Sequence, residues 1–151
     1  MTSENPIRTR FSFAPPVDDA LAWNLRLDVL AQAIEEAFPG AWTKAEGRLG
    51  PRPSEALSFE IQAVGDAWVE GTATSPIEGA GAVVVDATVQ EASVFARWLR
   101  DSFIPSPDLI EFSSEFAMNR GDFSTWQLPR TGPAEDIAAA LQAHIDAALR
   151  L

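Results

Sequence analysis

The chain has 151 residues, no cysteine, one histidine, and 22 Asp and Glu against 11 Lys and Arg, giving a formal net charge of -11. Its length predicts one domain over 1–151 with a disordered polar start at residues 1–6, and 46% hydrophobic residues, including five Trp and nine Phe, exclude a disordered acidic chain. The lack of cysteine excludes disulfides, thiolate catalysis and Cys-ligated zinc, while the charge disfavours nucleic acid and anionic membrane as partners.

Ile7, Thr9, Phe11 and Phe13 alternate with Arg8, Arg10 and Ser12, the period of a strand with one buried face, and Pro15-Pro16 ends it. Asp18 or Asp19 then caps a predicted helix running from Asp19 to Phe38, with Trp23, Leu27, Leu30, Ile34 and Phe38 on its apolar stripe and Leu21, Leu25 and Val29 widening it. Pro39-Gly40 stops it. Trp42 to Leu49 is a strand candidate, followed by a loop at Gly50-Pro51-Arg52-Pro53. Leu57, Phe59, Ile61 and Ala63 alternate with Ser58, Glu60 and Gln62. Gly65-Asp66 turns the chain into Trp68 to Thr74 as a hairpin.

Ser75 to Gly81 reads as a loop and Ala82 to Ala87 as a strand. Thr88 or Asp86 caps a second helix extending to Ile104, whose stripe is Val94, Phe95, Trp98, Leu99 and Phe103. Leu109 to Met118 alternates again, Asn119 to Asp122 turns, and Phe123 to Leu128 returns as a strand. Gly132-Pro133 opens a last helix with Ile137, Leu141, Ile145 and Leu149 on its stripe. One-sided alternation in most strands predicts an α+β fold: one mainly antiparallel sheet of five to seven strands, with two or three helices on the face of Phe59, Ile61 and Phe112.

No apolar run approaches the roughly 20 residues that span a bilayer, and the polar N-terminus lacks the layout of a signal peptide, so the expected location is cytoplasmic. Ten Arg against the single Lys44, no Tyr and abundant Ala look like the coding bias of a high-GC bacterium.

His144, the one imidazole, lies beside the stripe of the last helix and reads as a boundary residue. No motif puts a serine or an acid beside it, which argues against a hydrolase triad, and one imidazole serves zinc poorly. Glu35-Glu36 and Asp18-Asp19 read as solvated helix surface, and Gly79-Ala80-Gly81 as a loop without phosphate-binding spacing. No catalytic, metal or cofactor-binding residue is expected.

The informative constellation is a face. Between Pro53 and Arg97 the chain carries Glu55, Glu60, Asp66, Glu70, Glu78, Asp86 and Glu91 and no Lys. The strand pattern sets Glu60, Gln62, Trp68, Glu70, Thr72, Asp86, Glu111 and Glu115 opposite the apolar side. Like charges opposed across strands cost up to ~1 kcal/mol per pair, so such a face is either a solubilising surface or a docking site for a cationic protein, in which Glu60, Gln62, Trp68, Glu70, Asp86, Glu111 and Glu115 make the contacts. Trp68 is then an aromatic anchor, unless a loop or helix covers it. Arg8 and Arg10 neutralise part of the face if the first strand lies beside it.

Size, acidity, absence of Cys and the α+β layout resemble the small acidic immunity proteins of polymorphic and contact-dependent toxin systems, whose acidic surfaces plug basic nuclease sites. The element order over Asp19–Phe38, Trp42–Thr74, Val89–Ile104, Leu109–Leu128 and Ala134–Leu149 also resembles secretion-chaperone-like proteins, from which the strands Ile7–Phe13 and Ala82–Ala87 depart. The first resemblance implies an immunity protein that occludes a cationic toxin, and the second a chaperone for an effector protein. A small enzyme or small-molecule binder using carboxylates is the alternative from another class. A homodimer is compatible with any of these.

Overall fold

The alternating segments assemble into one antiparallel sheet. The computed structural model describes residues 6–48, 54–76 and 81–151. Its strands are β1 (Arg8–Ala14), β2 (Trp42–Arg48), β3 (Ser54–Val64), β4 (Ala67–Pro76), β5 (Ala82–Thr88), β6 (Glu111–Ser114) and β7 (Trp126–Gln127), and its α-helices are α1 (Leu27–Ala37), α2 (Val89–Trp98), α3 (Glu115–Met118) and α4 (Ala134–Leu149). The spatial order is β2-β3-β4-β5-β1-β6-β7. Apart from Pro6, the expected disordered start lies outside the described residues, as do the loop at 50–53 and residues 77–80 of the second loop.

The helices cover the face that carries Phe11, Phe13, Phe59, Ile61, Val69, Val85 and Phe112, all of them buried. Phe95 of α2 is the hub. Its ring stacks on Phe59 at 5.6 Å and lies within 6.3 Å of Phe13 and Phe38 and 5.7 Å of Trp98. Burying one such ring contributes roughly 1.5–3 kcal/mol. Gly71 of β4 sits directly under Phe59, since a Cβ there would lie 2.1 Å from the ring's Cζ. Only a hydrogen fits between the strand and that ring.

Local chemistry explains α2. Thr88 accepts from the Glu91 amide while the Glu91 carboxylate accepts from the Thr88 amide, a reciprocal cap that satisfies two otherwise orphaned donors. Glu91 is buried, and Arg8 of β1 pairs with it at 2.9 Å, so the same carboxylate ties helix to sheet. At its C-terminal end α2 passes into a π-helical turn, Leu99–Phe103, closed by the Ile104 amide on the Leu99 carbonyl.

Three expectations are corrected. The first helix does not begin at Asp19: residues 18–23 form turns, Asn24 takes a positive φ of 47°, and α1 starts at Leu27, while Leu21 stands exposed. Trp23 is buried nonetheless, because its indole N–H donates to the Leu109 carbonyl at 2.6 Å, and that tertiary bond holds it off the helix. The expected strand over Leu109–Met118 stops at Ser114, whose hydroxyl accepts from the Ala117 amide and caps α3. The return strand over Phe123–Leu128 contracts to Trp126–Gln127.

Candidate functional site

The face of the sheet away from the helices carries the predicted acids, and the pairing fixes their spacing. Glu60 on β3 is opposite Glu70 on β4, which is opposite Asp86 on β5. Adjacent strands lie ~4.8 Å apart, so the three carboxylates form a row roughly 10 Å long across the middle of the sheet. Trp42 on the edge strand β2 continues the row beyond Glu60, and Arg10 on β1 continues it beyond Asp86. One pair further along, Gln62 is opposite Trp68.

Both tryptophans are free of the core. Trp42 is 48% exposed and Trp68 49% exposed. Trp68 therefore stands beside the acids, as the exposed alternative has it. Trp42 was not expected here: the mixed charge of Lys44, Glu46 and Arg48 blurs the alternation of β2, and only the register with β3 puts this ring beside Glu60.

The cations on the first strand leave most of the row unneutralised. Arg10 reaches Glu115 at 3.8 Å, and Arg8 is engaged by the Glu91 carboxylate and the Asp86 backbone carbonyl. Among the described residues, none of Glu60, Glu70 and Asp86 is in an ion pair. Beside them, Arg10, Glu70, Gly71, Thr72, Val84 and Asp86 line a concavity of about 330 Å³. Of the other expected contacts, Glu111 shares the face but accepts from the Thr125 hydroxyl at 2.9 Å. Glu115 is displaced: it is the first residue of α3 and reaches the face only through Arg10.

His144 is not a boundary residue. It is fully buried, between the rings of Phe112 and Trp126 at 5.2 and 5.0 Å, with Nε2 2.9 Å from Ser114 Oγ and Nδ1 without a partner among the described residues. Burial lowers its pKa, partly offset by the charge of Asp122, whose own carboxyl is held low first by the Ser124 hydroxyl. The fold thus brings a serine and an acid towards the imidazole, which no motif foretold. Ser114 is also fully buried and its oxygen already caps α3, so this pair braces the joint between β6, α3 and α4.

No helix among the described residues is long and apolar enough to cross a membrane, and no group of three or more His, Cys, Asp or Glu among them could hold a metal ion. No family model, curated protein or solved structure matches the chain.

Proposed function

We propose that the open sheet face is a docking surface for a cationic protein, and that the chain is an immunity-type partner that neutralises a toxin by covering the basic residues with which it holds its substrate. The observation that carries this is the registered row Glu60, Glu70 and Asp86, unpaired with cations among the described residues and flanked by the exposed rings of Trp42 and Trp68. Two directly opposed like-charge contacts lower the stability of a fold that gains nothing from them internally. A guanidinium or ammonium laid across the row relieves both contacts, and the exposed rings of Trp42 and Trp68 stand beside it as aromatic partners for a cation.

A carboxylate enzyme is less well supported. General acid chemistry needs one of two neighbouring acids kept protonated by burial, and Glu70 is exposed while Asp86 is only half-buried. The apolar groove of about 420 Å³ between α2 and α4, lined by Val89, Val94, Ala134 and Ala138, is the surface that a chaperone reading would use.

The test is binding to the product of the adjacent gene, followed at two salt concentrations, together with rescue of cells expressing that product. Glu60→Lys with Glu70→Lys should slow association by tenfold or more at low salt and abolish rescue, while the melting temperature does not fall. Unchanged association would leave the acidic face as a solubility device. Loss of binding on placing a charge at Val94 instead would transfer the site to the groove.

A further inference from the structure

In a chain of net charge -11, three arginines converge on one cleft. It lies in the helix layer, at the C-terminal end of α2, with a volume of about 700 Å³. Arg97 comes from the last turn of α2, Arg100 from the π-helical turn, and Arg130 from the loop before α4. Single π-helical turns within helices recur at functional sites.

The three differ in what already holds them. Arg100 is buried, with 3% of its surface exposed, and its guanidinium is used up internally: Nε and Nη2 donate to the two oxygens of Asp101 at 2.7 and 3.1 Å, Nη1 to the Pro129 carbonyl at 2.9 Å, and Nη2 also to the Gly132 carbonyl at 2.7 Å. It clamps the 129–132 loop to α2 and thereby sets Arg130 in the cleft. Asp101 is committed to Arg100, which is the leading cause of its lowered pKa, and touches Arg97 only at 3.6 Å. Arg130 is in no ion pair among the described residues; its charge is felt by Asp108, itself bound by the Ser106 hydroxyl, and the Asp136 carboxylate stands beside Gly132 of the same loop.

Of the residues that line the cleft, three are arginines and one, Asp101, is an acid, with Asp108 and Asp136 close to the same loop. The guanidiniums not used up internally are those of Arg97 and Arg130, set in a molecule whose field otherwise expels anions. We infer that this cleft binds a small phosphate monoester, its dianionic head between Arg97 and Arg130 and its organic body against Ile104, Pro105 and Pro107. A phosphate monoester carries -1.5 to -2 at neutral pH and three strong acceptor oxygens, enough for two guanidiniums approaching from different elements, whereas a carboxylate is satisfied by one. The apolar wall favours an ester over inorganic phosphate. Two exposed arginines do not make a track for duplex DNA, so this site is compatible with a chain that repels nucleic acid. It is independent of the sheet face.

The experiment titrates the full chain with phenyl phosphate, inorganic phosphate and acetate at constant ionic strength, by calorimetry and by amide and Arg side-chain NMR shifts. Phenyl phosphate should bind at least tenfold more tightly than acetate and several-fold more tightly than inorganic phosphate, with shifts at residues 97–107 and 129–132. Its affinity should fall between pH 7.5 and pH 5 as the second ionisation, near pH 6, is reversed. Arg97→Gln with Arg130→Gln should weaken it at least tenfold at an unchanged melting temperature. If the double variant melts early, Arg97→Gln and Arg130→Gln are titrated singly. No saturable binding at about 10 mM ligand, equal binding of acetate, or variants that bind like the parent would each overturn the inference.

Discussion

Reversing the charge of Glu70 should make the fold more stable. Glu70 is the centre of the row, opposed by Glu60 on one side and Asp86 on the other, so Glu70→Lys converts two repulsive cross-strand contacts into two attractive ones. Each such pair is worth roughly 0.2–1 kcal/mol, and exposure to solvent screens it, so a gain of about 1–2 kcal/mol is expected. For a domain of this size that corresponds to a rise of about 2–8 °C in melting temperature. Glu70→Gln, which removes repulsion without adding attraction, should give about half of it. The assay is a thermal melt at roughly 0.01 M and 1 M ionic strength, where the Debye length is about 30 Å and 3 Å. The gain should be present at low salt and vanish at high salt. A melt that is unchanged or lower at low salt, or a gain that survives 1 M salt, would refute the reasoning. Because the same substitution should slow association with the partner, stability and binding would move in opposite directions, as expected of a surface kept for binding at some cost to the fold.

Gly71→Ala should cost about 1–3 kcal/mol, because its Cβ would overlap the Phe59 ring and push it from its stack on Phe95; an unchanged midpoint in urea would contradict this. Thr88→Ala should lose about 1 kcal/mol by opening the α2 cap, read as a melt lowered by roughly 2–4 °C, and an equal melt would show the cap to be dispensable. Stability should be flat above pH 6.5 and decline below it, because the unfolded chain takes up a proton at His144, near its ordinary pKa, before the folded chain does. His144→Phe should flatten the decline that sets in below about pH 6.5, and a variant with the parent's slope would assign that slope to other groups.

The period-2 and period-3.6 stripes were enough to read the sheet, its buried face and three of the helices, since burying those stripes is what orders the chain. What failed was decided by contacts distant in sequence. Trp23 and Leu27 share a helical spacing, yet the bond from the Trp23 indole to the Leu109 carbonyl, 86 positions away, takes the first of them out of the helix. Phe112, Ser114 and Phe116 keep an alternating period through Ser114, where the hydroxyl that caps α3 bends the chain; a serine followed by Glu115 is the local sign of it. Membership of the acidic face was legible for Glu60, Gln62, Trp68, Glu70, Asp86 and Glu111 because side chains alternate along a strand, but not for Glu115, which follows the end of β6. The row was not, because Glu60, Glu70 and Asp86 come into line only through the registers of β3, β4 and β5, and Trp42 joins them by the same route.

The π-helical turn at Leu99–Phe103 makes this part of the chain sensitive to length as well as to composition. Such a turn amounts to one residue inserted into an α-helix. Deleting a residue there would let α2 continue in regular α geometry and draw Arg100 in from the wider turn that holds it. Arg100 could no longer meet both Pro129 and Gly132. The 129–132 loop would lose its anchor, and with it the start of α4. Insertions and deletions between Trp98 and Ile104 should therefore be far less tolerated than at the Gly65-Asp66 hairpin tip, although both lie at the end of a regular element.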